Sequence, residues 1–151
     1  MKKITESGQT LVEAIVVVAI VVLLVTGLVV ATTVSLKSVR QNQIKIQAVS
    51  LAQAGMEIVR SVRDSTDWAT FFANADNTNN NNGLQCLGKS GLLSSPPCTA
   101  DITTAATSYT RTAQFTNIDA GSLEVTITVT TADNSITPVT LSSYFTEWKS
   151  K

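Results

Sequence analysis

The residue in this chain that most needs a chemical explanation is Glu13. It sits in an apolar run from Leu11 to Ala31 that is otherwise interrupted only by Thr26 and Gly27. A charged side chain within a bilayer core costs about 2.5–3.5 kcal/mol on insertion scales, so a carboxylate there calls for a compensating partner. Gly8 stands five positions before it, at the polar end, and Gln9 follows. The other residues able to do covalent chemistry are Cys86 and Cys98, in the polar distal part. In an oxidising compartment they would close a short loop, worth on the order of 3 kcal/mol. In a reducing one they would remain two thiols. There is no histidine, which removes the commonest general base and metal ligand. Two cysteines without histidine do not fill a four-coordinate zinc site. Serines, Lys89 and scattered carboxylates occur, but at no spacing that suggests a nucleophile elbow, a phosphate loop or a metal site. The expectation is a chain that is not an enzyme and has no cofactor or metal.

The segment Gly8-Gln9-Thr10-Leu11-Val12-Glu13, opening onto the apolar run, resembles the processing site of type IV prepilins and pseudopilins. Two other readings of the same stretch are open. A secretory signal peptide would be cut after it, at the small residues Val29-Val30-Ala31, and a plain signal anchor would not be cut at all. Neither has a use for Glu13. The resemblance implies that a prepilin peptidase, which is also the methyltransferase, cleaves after Gly8 and methylates the new terminus at Gln9. Glu13 then becomes the fifth mature residue. Its carboxylate pairs with the terminal amine of a neighbouring subunit and so sets the register of filament assembly. The implied partners are that peptidase, other pilin subunits, the assembly platform and ATPase, and membrane lipid before assembly. The family usually has phenylalanine at the position of Gln9, and its major subunits commonly carry a proline at that of Val30. The glutamine bears on the methylation; the missing proline leaves the helix without a kink, with Thr26-Gly27 as its one soft spot, and points to a minor pilin or a pseudopilin. The stretch Arg60-Ser61-Val62-Arg63-Asp64-Ser65 followed by Trp68 also resembles the helix-to-domain junction of short bacterial pilin-like proteins.

The elements that position these residues follow from patterning. Ala14 to Val25 is apolar without a break, and Leu11 to Ala31 is 21 residues. At ~1.5 Å per residue this covers a ~30 Å hydrocarbon core as a single-pass helix. Basic residues flank it nearly evenly: Lys2 and Lys3 before, Lys37, Arg40 and Lys45 after. The leader is placed in the cytoplasm on the resemblance, with the cytoplasmic membrane as first location and a surface filament as the last. Beyond the run, Ile44, Ala48, Leu51, Gly55, Ile58 and Val62 recur at three- and four-residue steps, the stripe of a helix lying on a sheet. Trp68, Phe71 and Phe72 read as core cover. Asn74 to Asn82 holds six asparagines in nine positions and reads as a mobile surface loop. Cys86 to Cys98 reads as a second loop. Three antiparallel strands follow: Tyr109–Thr116, Leu123–Thr130 with the cleanest alternation, and Ile136–Tyr144, where Pro138 suits an edge.

The expected fold is α+β and pilin-like, one long N-terminal helix packed on a small antiparallel sheet. Its divisions are a leader (1–8), a transmembrane and polymerisation half-helix (9–31), an amphipathic half-helix (32–64), a variable loop region (65–108) and a sheet with C-terminal tail (109–151). The expected function is a structural subunit of a type IV pilus-related filament. The alternative is a single-pass, membrane-anchored surface-binding module that does not polymerise. Nucleic acid is a poor partner, because from Asp64 onward four basic residues face eight acidic ones. The one basic grouping left for it is Lys89, Arg111, Lys149 and Lys151.

Overall fold

The computed structural model describes residues 6–75, 83–89, 93–99, 102–104, 107–119 and 121–147. The chain divides into two compact units, residues 1–40 and 41–151. The first is helical throughout its described part, as the beginning of α1 (Glu6–Ser65). Valine and isoleucine are weak helix formers in water, but an apolar medium leaves the backbone no other way to satisfy its polar groups. Thr26, Thr32 and Thr33 turn their hydroxyls back onto the carbonyls of Val22, Val29 and Val30 at 2.7, 2.9 and 2.8 Å. Internally bonded in this way, they cost little among apolar residues. The helix continues through Thr26-Gly27, so the local softness expected there produces no break.

The second unit is α+β. The part of α1 from Gln41 onward buries Ile44, Ala48, Ala52, Met56 and Val59, one face at steps of four and three. Leu51, Ile58 and Val62 pack at the margin of that face. The stripe therefore lies slightly to one side of the expected one and draws in Ala52, Met56 and Val59. Ser65 and Thr66 donate their hydroxyls to the carbonyl of Val62 and so satisfy an orphan acceptor at the end of α1. Asp67 caps α2 (Trp68–Ala75) by accepting from the Thr70 amide at 2.9 Å. These hydrogen bonds hold the Asp67 carboxyl below its ordinary range.

Among the described residues six antiparallel strands form one sheet, where three were expected. They are β1 (Leu84–Leu87), β2 (Leu93–Ser94), β3 (Ile102–Thr103), β4 (Ser108–Asp119), β5 (Ser122–Thr131) and β6 (Val139–Thr146). The order is β2-β1-β4-β5-β6, with β3 also pairing β4. The long strands match the alternating runs. Tyr109, Arg111, Ala113 and Phe115 of β4 and Leu123, Val125, Ile127 and Val129 of β5 all face the core. The stretch between the cysteines is corrected from a loop to a region containing the hairpin β1–β2. These strands are too short to show period-two alternation; β1 forms on the edge of β4, and β2 in turn on β1. The last strand starts at Val139, after Pro138, which has no N–H to donate to a ladder.

Phe71 of α2 is buried and meets Phe115 edge-on, with 6.4 Å between ring centroids. Trp68 and Phe72 pack around it, so the aromatic cover forms as expected. Asn74 belongs to α2, and its carbonyl accepts from the Gln85 side chain at 2.8 Å. The asparagine tract from 76 to 82, and Trp148, lie outside the described residues.

Candidate functional site

Gly8 and Gln9 lie near the N-terminal end of the described part of α1 (Glu6–Ser65), where glycine lowers helix stability by about 1 kcal/mol relative to alanine. Glu13 lies one turn below Gln9, at the i+4 position on the same side of the helix. Every residue from Leu11 to Gln43 is exposed, Glu13 included. Among the described residues the Glu13 carboxylate has no hydrogen-bond or ion-pair partner. Around it Val12, Val16 and Val17 are 61, 50 and 53 % exposed, an apolar surface without protein cover. The helix is long and apolar enough to cross a bilayer.

Cys86 and Cys98 are joined in a disulfide, with Cα atoms 5.2 Å apart. The bond ties the end region of β1, through the β1–β2 hairpin, to the segment that leads toward β3. It therefore fastens the part of the sheet with the shortest strands.

Arg111, one of the four basic residues considered for a phosphate surface, is only 5 % exposed. Its Nε donates to the Leu87 carbonyl, and its two terminal nitrogens donate to those of Leu51 and Gly88, each at 3.1 Å. The guanidinium thus bridges α1 to the end of β1 and is committed to the interior. Lys149 and Lys151 lie outside the described residues. Its phase was readable in advance, since Arg111 occupies an inward position between Tyr109 and Ala113. Its role as a bridge was not, because three carbonyl partners distant in sequence give no local signal. Tyr109 acts in the same way. It is fully buried, and its hydroxyl donates to Gln47 Oε1 at 2.9 Å, with the Ile44 carbonyl 3.3 Å away. Burial raises the phenol above its ordinary value of 10.0.

At the other end of the helix segment, Arg63 donates to the Thr146 carbonyl at 2.7 Å and pairs with Asp64 at 3.0 Å. Arg60 pairs with Glu57 one turn away. Among the described residues no cluster of three or more histidine, cysteine or carboxylate groups could hold a metal ion. No family model, curated protein or solved structure matches the chain.

Proposed function

We propose that this chain is a structural subunit of a type IV pilus-related filament, of the minor pilin or pseudopilin kind. A prepilin peptidase removes residues 1–8, Gln9 becomes the terminus and receives the methyl group, and the helix stays in the cytoplasmic membrane until assembly. The platform protein and ATPase of such systems then draw subunits into a helical bundle at the cell surface.

The observation that carries this reading is Glu13, a carboxylate that has no partner among the described residues and stands on an exposed apolar helix, five positions after Gly8. In lipid such a group is stabilised only by pairing. Cleavage at Gly8 places a new ammonium at Gln9, the nearest cation to the carboxylate of an adjoining subunit. Around that pair, the exposed valines and leucines exchange lipid for the same side chains of neighbouring helices. The domain supports the reading in a general way, since a helix laid on a small antiparallel sheet and pinned by a disulfide suits an extracytoplasmic surface.

The test is mass analysis of the N-terminus of the protein extracted from membranes of cells that contain the peptidase. The expected terminus is Gln9, with or without one added methyl group. A terminus at Met1 overturns the reading in favour of an anchored, non-polymerising module. One at Thr32 overturns it in favour of a secreted domain.

A further inference from the structure

The sheet ends at β6, and among the described residues no strand pairs with its far edge. A free edge presents unpaired N–H and C=O groups, which natural proteins blunt with charges, proline, bulges or brevity. The strand Val139–Thr146 carries none of these devices in its own sequence, and only at its end is the edge engaged, where Arg63 donates to the Thr146 carbonyl. The strand is eight residues long, uncharged and free of proline, and its pairing with β5 runs without a bulge. On the core side Leu141 remains 36 % exposed, because no neighbour lies beyond it. Next to it, Arg60, Arg63 and Asp64 of α1 and Ser143, Phe145 and Thr146 of β6 border an open groove of about 330 Å³.

We propose that this edge pairs antiparallel with β6 of a second copy of the chain, around a two-fold axis. Directly opposed residues in an antiparallel pair point to the same face. For core side to meet core side, the axis must pass through a single residue and not between two. Near the middle of the strand that residue is Ser142, since an axis through Ser143 would set Thr140 against Thr146, whose carbonyl Arg63 already engages. Ser142 is then the position where a side chain must face its own copy, and it carries a small, uncharged group. The core-side partners are apolar or small: Phe145 opposite Val139, and Ser143 opposite Leu141. The groove beside Phe145 is where the incoming side chain would sit. A charge anywhere on β6 would be repeated on the copy, and the strand has none.

One eight-residue strand pairing falls short of the ~1,600 Å² typical of stable complexes. The contact is therefore weak between dilute copies and effective between copies held close in a membrane or filament. A two-fold contact closes on itself, so it links subunits laterally and does not lengthen a polymer. It requires anchoring only, and it holds whether or not the chain polymerises.

The test uses the full chain carrying Gly8→Ala, which blocks processing and keeps filament contacts out of the measurement. Two differently tagged copies are reconstituted together in phosphatidylcholine vesicles, and co-capture after amine-independent photo-crosslinking is measured. Ser142 lies on the exposed polar face, so Ser142→Lys and Ser142→Glu leave the core untouched. Lys with Lys, and Glu with Glu, are expected to lower co-capture about fivefold relative to wild type, while Lys with Glu restores it. The restored mixture contains the same two variants and thereby shows that both are folded. Unchanged co-capture in the like-charge pairs overturns the proposal. So does loss without restoration, and so does a wild type that is not captured at all.

Discussion

Arg111 passes directly beneath Gly55. A Cβ built on Gly55 would stand 2.9 Å from Cδ of Arg111 and 3.1 Å from Cγ2 of Ile127. The arginine cannot swing aside, because its Nε and both terminal nitrogens are engaged with backbone carbonyls. The glycine is what lets α1 approach the sheet closely enough for that bridge. Gly55→Ala gains up to about 1 kcal/mol of helix propensity, but overpacking a filled core costs about 1–3 kcal/mol. The net expectation is destabilisation, read as a lower urea midpoint for the full chain in detergent micelles.

Arg111→Met keeps much of the volume and removes the donors. The Leu87 and Gly88 carbonyls then lose a charged partner, and a loss of about 2–3 kcal/mol is expected. Arg111→Lys recovers little, because one ammonium cannot span three separated carbonyls as a planar guanidinium does. Chemical unfolding of the two variants side by side checks this; equal stability of wild type and Arg111→Met would refute the bridge.

Opening the Cys86–Cys98 bond frees the segment that holds the two-residue pairing of β1 with β2. Cys86→Ser with Cys98→Ser is expected to cost about 3 kcal/mol. Reducing agent should shift the wild-type unfolding midpoint in the same direction and leave the double variant unchanged.

Tyr109 makes stability depend on pH at the alkaline end. Its folded phenol titrates above the ordinary 10.0 because burial disfavours the phenolate. The unfolded chain loses that proton first, so the contribution is whole below about pH 10 and declines as pH rises through the folded value. Tyr109→Phe should lower stability by about 1 kcal/mol at neutral pH through the lost bond to Gln47. It should also flatten the alkaline slope. A slope identical to wild type would show that another group governs it.

Glu13→Ala removes a charge that costs about 2.5–3.5 kcal/mol within hydrocarbon, so the chain should remain in the membrane at least as firmly as before. Leader removal should continue, while incorporation into filaments fails. Immunoblots of sheared surface fractions against membrane fractions separate these effects. Normal amounts of the variant in the sheared fraction would remove the pairing from the proposal.

Sequence patterning determined the elements whose physics is local. The span Leu11–Ala31 is helical and apolar enough to cross a bilayer, as its unbroken apolar run required, and the phase of β4 and β5 follows from strict alternation along their length. The aromatic cover of Trp68, Phe71 and Phe72 was legible for the same reason, since apolar side chains near the end of a half-covered sheet have one dry place to go. Glu13 and Gly8 were conspicuous through their position against the apolar run, and the folded chain adds that the carboxylate has no partner among the described residues. Tertiary structure alone decided what rests on non-local pairing. Runs as short as Leu84–Leu87 and Ile102–Thr103 became strands only because β4 lay beside them with unpaired backbone. Arg111 became an internal bridge because α1 and β1 brought three distant carbonyls to one point, and Gly55 made room for it. The free edge of β6 is likewise a property of strand order, which side-chain alternation cannot encode: the pattern tells each residue which face to take, not which strand comes last.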